Sequence, residues 1–347
     1  MAQLDSSDTR ITSNATGGNE GRMRGRMNRL IARLLKAGVS CLPWRSLPHG
    51  ARRAIIEQLS EIMDHTDHFE MMACVAPRIG ISAVKAKGEF GEIQSVPGDL
   101  NVFATYARSG TYVKRQNDLV EEFFHEHDHG TFIDIGANIG LTTIPVARNP
   151  AVRCFAFEPE PVSFGNLAAN ISANCCHGNV TISQIALFDR TSIIEFEVEE
   201  RNLADHRIHL SNRPGQYSEQ QRRVIKVNAA PLDDVVNEVS GALAVKIDTQ
   251  GAEPFVIAGG RRILTRAGLL ILEFWPYGAA RLGGDLHIVI DFLEKEFDRI
   301  IIVPGGDDIH PDPLPRAEAC ARLRGIVLPA QAFGPQYWDV IAHKQTT

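Results

Sequence analysis

From residue 131 onward, short apolar runs alternate with stretches whose apolar residues recur every three or four positions. The runs Phe132–Ile135, Arg153–Phe157, Val180–Leu187, Leu243–Ile247, Leu269–Phe274, Arg299–Val303 and Trp338–His343 predict buried strands. Ile139–Ala147, Pro161–Asn174, Leu232–Val239, Glu253–Ala267 and His287–Phe297 carry the longer period and predict helices. Pro161 and Pro254 fall in the first turns of two of them, where a missing N–H costs little. Ile193–Val198 and Val224–Val227 predict two added strands around a polar excursion, Glu199–Arg223. Pro304–Tyr337 is a second excursion, with one helical patch near Arg316–Arg324. Strands alternating with helices predict an α/β fold: an open, seven-stranded, mostly parallel sheet with helices on both faces.

The pattern upstream is different. Met1–Gly21 is rich in Ser, Thr, Asn and Gly, lacks an apolar core and reads as disordered. Residues 22–100 predict a helical N-terminal subdomain or cap, and 101–347 the main domain. Met27, Leu30, Ile31, Leu34 and Leu35 form a helical stripe, and Ala51–Met63 predicts a second helix. Phe90–Val113 reads as short β or loop elements, and Asn117–His125 as a helix.

Charge alters this picture at one place. The chain as a whole carries −6, which argues against general nucleic-acid binding. Residues 21–56 nevertheless hold nine Lys and Arg and no acid. That segment reads either as a solvated basic face or as a contact for an anionic membrane surface or an acidic partner. No 18-residue apolar run is present. The six cysteines, Cys41, Cys74, Cys154, Cys175, Cys176 and Cys320, form no C-x-x-C, which suits a reducing, cytoplasmic setting. His65 and His68 read as a polar end to the second helix, and His125, His127 and His129 as a solvated connector rather than a metal site, so no metal is expected.

The candidate chemistry lies at the strand ends. Asp134-Ile-Gly136-Ala137-Asn138-Ile-Gly140 is an acid followed by a glycine turn at a strand-to-helix junction. Its G-x-N-x-G spacing lacks the dinucleotide G-x-G-x-x-G. The turn offers backbone N–H groups to a negative group, and Asp134 can anchor an ammonium directly or through water. The methionine part of S-adenosylmethionine carries both charges. Glu158, followed by Pro159, ends the next strand 22 positions past Gly136 and is placed to accept hydrogen bonds from ribose hydroxyls. A third strand ends at Asp248 and turns through Gly251, and Glu273 ends a fourth.

Taken together these motifs resemble the FkbM-type family of S-adenosylmethionine-dependent methyltransferases. The family's D-x-G-A-N-x-G matches Asp134–Gly140, its F-E-P matches Phe157–Pro159, and its K-I-D-x-x-G-A-E matches Lys246–Glu253. Asn228–Val236 looks like its T-L-D-D segment, and Leu269–Phe274 like its following strand with a terminal Glu. Ala186-Leu187-Phe-Asp189 resembles its A-L-x-D, which implies Leu187 beside the adenine. The resemblance implies a Rossmann-like class I fold and O-methylation of a hydroxyl on a sugar, polyketide or other small-molecule or glycan acceptor. It also implies cofactor contacts at Asp134, Gly136, Ala137, Asn138, Gly140, Glu158, Pro159, Ala186, Leu187 and Asp248. A segment before the first strand often closes over the cofactor in such enzymes, which makes Tyr106, Tyr112 and Lys114 lid candidates. Gln250 departs from the family, which usually has Glu there.

An acceptor hydroxyl needs a base. Asp248, Glu273 or a histidine of 199–223 are the candidates, and the acids could equally just orient hydroxyls. Two other readings are a non-catalytic binding protein recruited through 21–56 and a nicotinamide-dependent oxidoreductase. The glycine spacing speaks against the latter.

Overall fold

A computed structural model describes residues 48, 50–51, 65–175, 177–200, 202–210, 222–305, 311–327 and 336–344. Nearly all of the basic segment 21–56 and of the predicted 51–63 helix lies outside these. The chain divides into two compact units, Met1–Ser82 and Ala83–Thr347. In the first, helix α1 (His65–Val75) runs into a 3₁₀ turn, Ala76–Ile79. His65 and His68 lie in this helix, and the residues that precede them lie outside the described ones. No helix among the described residues is long and apolar enough to cross a membrane.

The second unit opens with a hairpin, β1 (Val84–Gly88) and β2 (Gly91–Ser95), then α2 (Val102–Ser109) and α3 (Lys114–His125). The Phe90–Val113 stretch is thus partly helical. Its helix is capped from upstream: the buried Asp99 carboxylate accepts the N–H groups of Asn101, Val102 and Phe103. Val102, Phe103, Ala104 and Tyr106 form the buried face.

Then follow β3 (Gly130–Ile135), α4 (Thr143–Ala147), β4 (Val152–Phe157), α5 (Pro161–Asn174) and β5 (Val180–Ser183). Next come β6 (Ala186–Leu187), β7 (Ser192–Val198), β8 (Arg207–Ile208), β9 (Arg223–Ala230), α6 (Leu232–Val235) and β10 (Ala242–Ile247). The chain continues through α7 (Glu253–Gly259), α8 (Arg261–Leu264), β11 (Leu269–Phe274), α9 (Pro276–Leu282), α10 (His287–Glu296) and β12 (Arg299–Pro304). It ends with β13 (Leu314–Pro315), α11 (Arg316–Val327) and β14 (Trp338–His343).

The main sheet has the order β13-β12-β14-β11-β10-β3-β4-β5. β5, β4, β3, β10 and β11 pair in parallel, and β14 runs antiparallel between β11 and β12. This is the class I, Rossmann-like methyltransferase sheet, with a two-residue eighth strand added at the β12 edge. Alternate residues of each buried strand face opposite layers. Ile133, Ile135, Val245 and Leu272 pack with Leu232, Val256, Ile263, Val289 and Leu323 on one side. Phe132, Ala244 and Ile271 pack with Val120, Phe124 and Val146 on the other.

Four predicted elements come out differently. The helix predicted over Leu232–Val239 ends at Val235, where Val236 turns extended. Val180–Leu187 is two strands: after Ser183 the chain leaves β4, and Ala186–Leu187 pairs with Ala229–Ala230 in a separate sheet, order β6-β9-β7-β8. Glu253–Ala267 breaks at Gly259–Gly260, where a Cβ on Gly259 would stand 2.1 Å from the Phe188 carbonyl oxygen, so the small sheet lies against this break. The helix predicted from Ile139 starts only at Thr143.

A side-chain ladder ties the hairpin to α5. Asn170 Oδ1 accepts from Gln94 N–H at 2.7 Å, and its Nδ2 donates to the carbonyls of Gln94 and Ile139 at 2.9 Å each. One turn on, Asn174 makes the same pair of bonds with the backbone of Glu92. Residues four apart on a helix thus meet residues two apart on a strand. Tyr106 lies under the same hairpin, fully buried, donating to the Gly91 carbonyl at 2.8 Å.

Candidate active site

The carboxyl ends of the parallel strands frame one elongated cavity of about 860 Å³. Its floor follows neighbouring strand ends, from Glu158 after β4 past Gly136 and Asp248 to Glu273 and then Asp339 on β14. The small sheet contributes Phe196 and the segment Asn202–Ile208, and the other wall comes from α2 and residues 111–116. That volume is near the top of the range for small-molecule sites.

The glycine turn is shaped by contact. Gly136 and Gly140 take φ of +80° and +95°, and Asn138 sits between them at +51°. A Cβ on Gly136 would stand 1.9 Å from the Asp248 carbonyl oxygen, so only glycine lets the two loops meet. Contrary to the expected anion cradle, the turn's N–H groups are largely spent inside the protein. Gly136 and Ala137 both donate to the Phe157 carbonyl, Gly140 to Ala137, and Asn138 to Glu158 Oε2 at 2.9 Å.

Asp134 and Gly140 do not line the cavity. Asp134 is completely buried beneath the turn, where Oδ2 accepts from the hydroxyls of Thr142 and Thr143 at 2.5 and 2.6 Å. Its Oδ1 has no hydrogen-bond partner and lies 3.6 Å from Lys246 Nζ. Gly136, Ala137, Asn138, Glu158, Pro159, Ala186, Leu187, Asp248 and Glu273 all line the cavity. Tyr112 and Lys114 line it too, whereas Tyr106 belongs to the hairpin interior and is no lid residue.

Glu158 accepts two backbone N–H groups, from Asn138 and from Glu160 at 2.9 Å. Burial nevertheless pushes its pKa up to about 7. At the other end, Asp248, Glu273 and Asp339 share the cavity with Lys246. Lys246 Nζ is 3.4 Å from Asp248 Oδ2. Burial pulls the lysine down, but Asp248, Asp134 and Glu273 outweigh it and raise its pKa. Burial, then Asp248, Glu253 and Asp339, hold Glu273 well above the usual carboxyl range, and burial and Asp248 lift Asp339 to about 6.

Gln250 sits between the acids. Its Nε2 donates to Asp248 Oδ1 at 2.9 Å and lies 3.1 Å from each Glu273 oxygen. Its backbone takes φ of +55°, a costly conformation for a residue with a side chain. Glu253 holds that turn in place. Fully buried, its Oε1 accepts from the N–H and hydroxyl of Thr249 at 2.9 Å and from Gly251 N–H at 3.3 Å. The motif's second acid is therefore a backbone clamp. The roles of Gln250, Thr142, Thr143 and Asp339 carry no local sequence signal, because they depend on which strand ends become neighbours.

The histidines of the excursion differ. His209 Nδ1 lies 2.9 Å from Glu197 Oε1, part of a buried group with Arg281, whose Nη2 is 2.5 Å from the same oxygen. His206 lines the cavity, and burial lowers its pKa to about 4. Residues 211–221 lie outside the described part of the excursion.

Residues 134–300 match the model of the methyltransferase FkbM domain. No curated protein matches the chain. Among solved structures, a precorrin-6y C5,15-methyltransferase from Geobacter metallireducens GS-15 is 13% identical, with 68% of this chain and 93% of that one covered and a TM-score of 0.35. An rRNA methylase from Streptococcus thermophilus is 12% identical, covering 68% and 100%, at 0.34. A Streptococcus mutans protein assigned as a methyltransferase, in complex with SAH, is 12% identical, covering 67% and 99%, at 0.34. These likenesses are distant, and the strand order and motifs carry the assignment. With the family motifs brought to the ends of adjacent strands, residues 134–300 are a methyltransferase FkbM domain, and the protein is an S-adenosylmethionine-dependent methyltransferase.

Proposed function

We propose that the protein methylates a hydroxyl oxygen of a small-molecule or carbohydrate acceptor, with the cofactor at the β4–β3 end of the cavity and the acceptor towards β11 and β14. The observation that carries this reading is the polarity of the cavity along the strand ends: a lone buried acid at one end, a carboxylate group with a lysine at the other. The residues at the first end fit the cofactor. Gly136 and Ala137 line it, the Asn138 Oδ1 is a buried acceptor without a partner, and Ala186 and Leu187 supply an apolar wall.

When bound, S-adenosylmethionine supplies an electrophilic methyl group with its own leaving group. The protein's part is to bind, align and deprotonate. Glu158, once ionised, accepts the ribose hydroxyls. Asp134 acts from beneath the turn by fixing Thr142, Thr143 and Lys246 rather than by touching the ligand. At the acceptor end Asp248 is the better base. Burial and its acidic neighbours raise the pKa of Glu273 and so favour its acid form as a donor, whereas Asp248 has the Lys246 ammonium as its counter-ion. Gln250 keeps the two carboxyls apart with a neutral donor.

Two experiments test this. Isothermal titration should give S-adenosylhomocysteine binding that is lost in Asp134→Ala, and unchanged affinity there would refute the supporting role. Mass spectrometry of extracts treated with enzyme and cofactor should show an acceptor gaining one CH₂ on oxygen. Methyl found only on nitrogen or carbon would overturn the O-methylation reading.

A further inference from the structure

His206 stands apart from the groups already used. It enters the cavity wall just after the 3₁₀ turn Leu203–Asp205, which is fastened to the glycine turn because Asn138 Nδ2 donates to the Leu203 carbonyl at 2.6 Å. The residue is 8% exposed. Its Nδ1 accepts the Glu199 backbone N–H at 3.1 Å. A nitrogen that accepts cannot carry the ring proton, so in the neutral ring that proton resides on Nε2. Nε2 in turn is buried and has no partner. The ring is also held neutral. Burial lowers its affinity for a second proton, and Arg222 and Arg223 reinforce this against Asp205.

The protein therefore keeps an unsatisfied N–H donor, its tautomer fixed by the backbone, on a residue that lines its ligand cavity. Leaving such a donor unpaired in a folded interior is destabilising. We propose that His206 is a ligand-positioning residue, whose Nε2–H donates to an oxygen of the molecule that fills the cavity. The ligand chemistry it selects is a hydrogen-bond-accepting oxygen: a carboxylate, carbonyl or hydroxyl. Both the cofactor and the methyl acceptor carry such oxygens. The same tautomer argument removes His206 from the candidate bases, since its lone pair is occupied by the Glu199 N–H. The inference rests on reading the cavity as the methyltransferase ligand site.

Two substitutions separate the nitrogens. His206→Asn retains an acceptor where Nδ1 stands and removes the far donor. His206→Gln retains a donor near Nε2. Titration of the wild-type protein with S-adenosylhomocysteine comes first, and absence of binding would sink the reading of the cavity and leave the tautomer measurement to judge His206 alone. That measurement is the ¹⁵N spectrum of histidine-labelled protein between pH 6 and 8, with the His206 signals assigned by their loss in His206→Asn. It should show a neutral ring protonated on Nε2, with the Nε2 proton shifting and becoming protected on ligand addition.

If the oxygen belongs to the cofactor, His206→Asn should weaken S-adenosylhomocysteine binding about tenfold, the worth of one hydrogen bond. His206→Gln should recover most of that loss. If it belongs to the acceptor, affinity for S-adenosylhomocysteine should hold while methyl incorporation into extract falls by about tenfold in His206→Asn and not in His206→Gln. Either result supports the proposal and names the source. An Nδ1-protonated ring, or a His206→Asn variant with unchanged melting temperature, binding and methyl incorporation, overturns it.

Discussion

Glu158→Gln separates what this acid does for the ligand from what it costs the fold. The carboxyl is buried, keeps two backbone N–H bonds, and still has its pKa raised from 4.5 to about 7, because burial outweighs the bonds. The folded state therefore binds a proton between those two values that the unfolded chain has released. Stability is greatest on the acid side and is lost as pH rises through about 7, after which it is level. A rise from 4.5 to about 7, at about 1.4 kcal/mol per pH unit, corresponds to roughly 3 kcal/mol. Most of that should be lost between pH 5 and 8. The substituted glutamine would be uncharged throughout and keep one of the two acceptors, so the variant should be no more stable than the wild type near pH 5. Its stability relative to the wild type should then rise by roughly 2 to 3 kcal/mol between pH 5 and pH 8. Urea unfolding of both proteins at half-unit pH steps reads this directly. Taking the difference removes Glu253, which burial also lifts to about 7 and which titrates alike in both proteins. The same variant should bind S-adenosylhomocysteine at least tenfold more weakly, because charge-assisted bonds to the ribose are gone. A stability difference that does not change with pH would refute the claim that burial governs this acid. A stability gain with intact affinity would refute its ligand role.

Other changes probe the frame around the cavity. Gly136→Ala drives a methyl group into the Asp248 carbonyl and imposes a left-handed alanine, so soluble folded protein should fall sharply, checked by yield and circular dichroism. Asn170→Ala strips three hydrogen bonds from Gln94 and Ile139 and should cost about 2 to 4 kcal/mol in urea unfolding. Less than about 0.5 kcal/mol would mean the ladder is dispensable. Gln250→Glu replaces the shared donor with a further carboxyl between Asp248 and Glu273. It should lower the melting temperature more at pH 8 than at pH 5, and an equal drop at both would show that charge is not the cause.

The parallel strands and the acids at their ends were legible because buried strands read as unbroken apolar runs, and the glycine turn and acid tips punctuate them. What the periodicity missed has identifiable causes. Gly98 and Pro97 hid the helix Val102–Ser109, whose cap comes from Asp99 just upstream. Ala186–Leu187 looks continuous with Val180–Ser183 because both are apolar, and only pairing with β9 divides them. The anion cradle expected at Gly136–Gly140 failed for a tertiary reason. Phe157 and Glu158, on the next strand and its tip, take up the N–H groups that local geometry leaves open. Asp134 was identified as important on its position at a strand end, yet its burial could not be read from a motif that looks the same whether the acid faces ligand or core.

The asparagines of α5 have a consequence for how this fold can be rearranged. A two-stranded hairpin leaves the outer border of each strand able to recruit a further strand, from this chain or another. Here Asn170 and Asn174 occupy the β2 border with amide groups, so that side of the hairpin is finished by a helix instead of by a third strand. Grafted onto a related sheet without those two side chains, the hairpin would arrive with an open, adhesive border. The helix and the hairpin are therefore a single transferable part, and neither is expected to be exchanged alone.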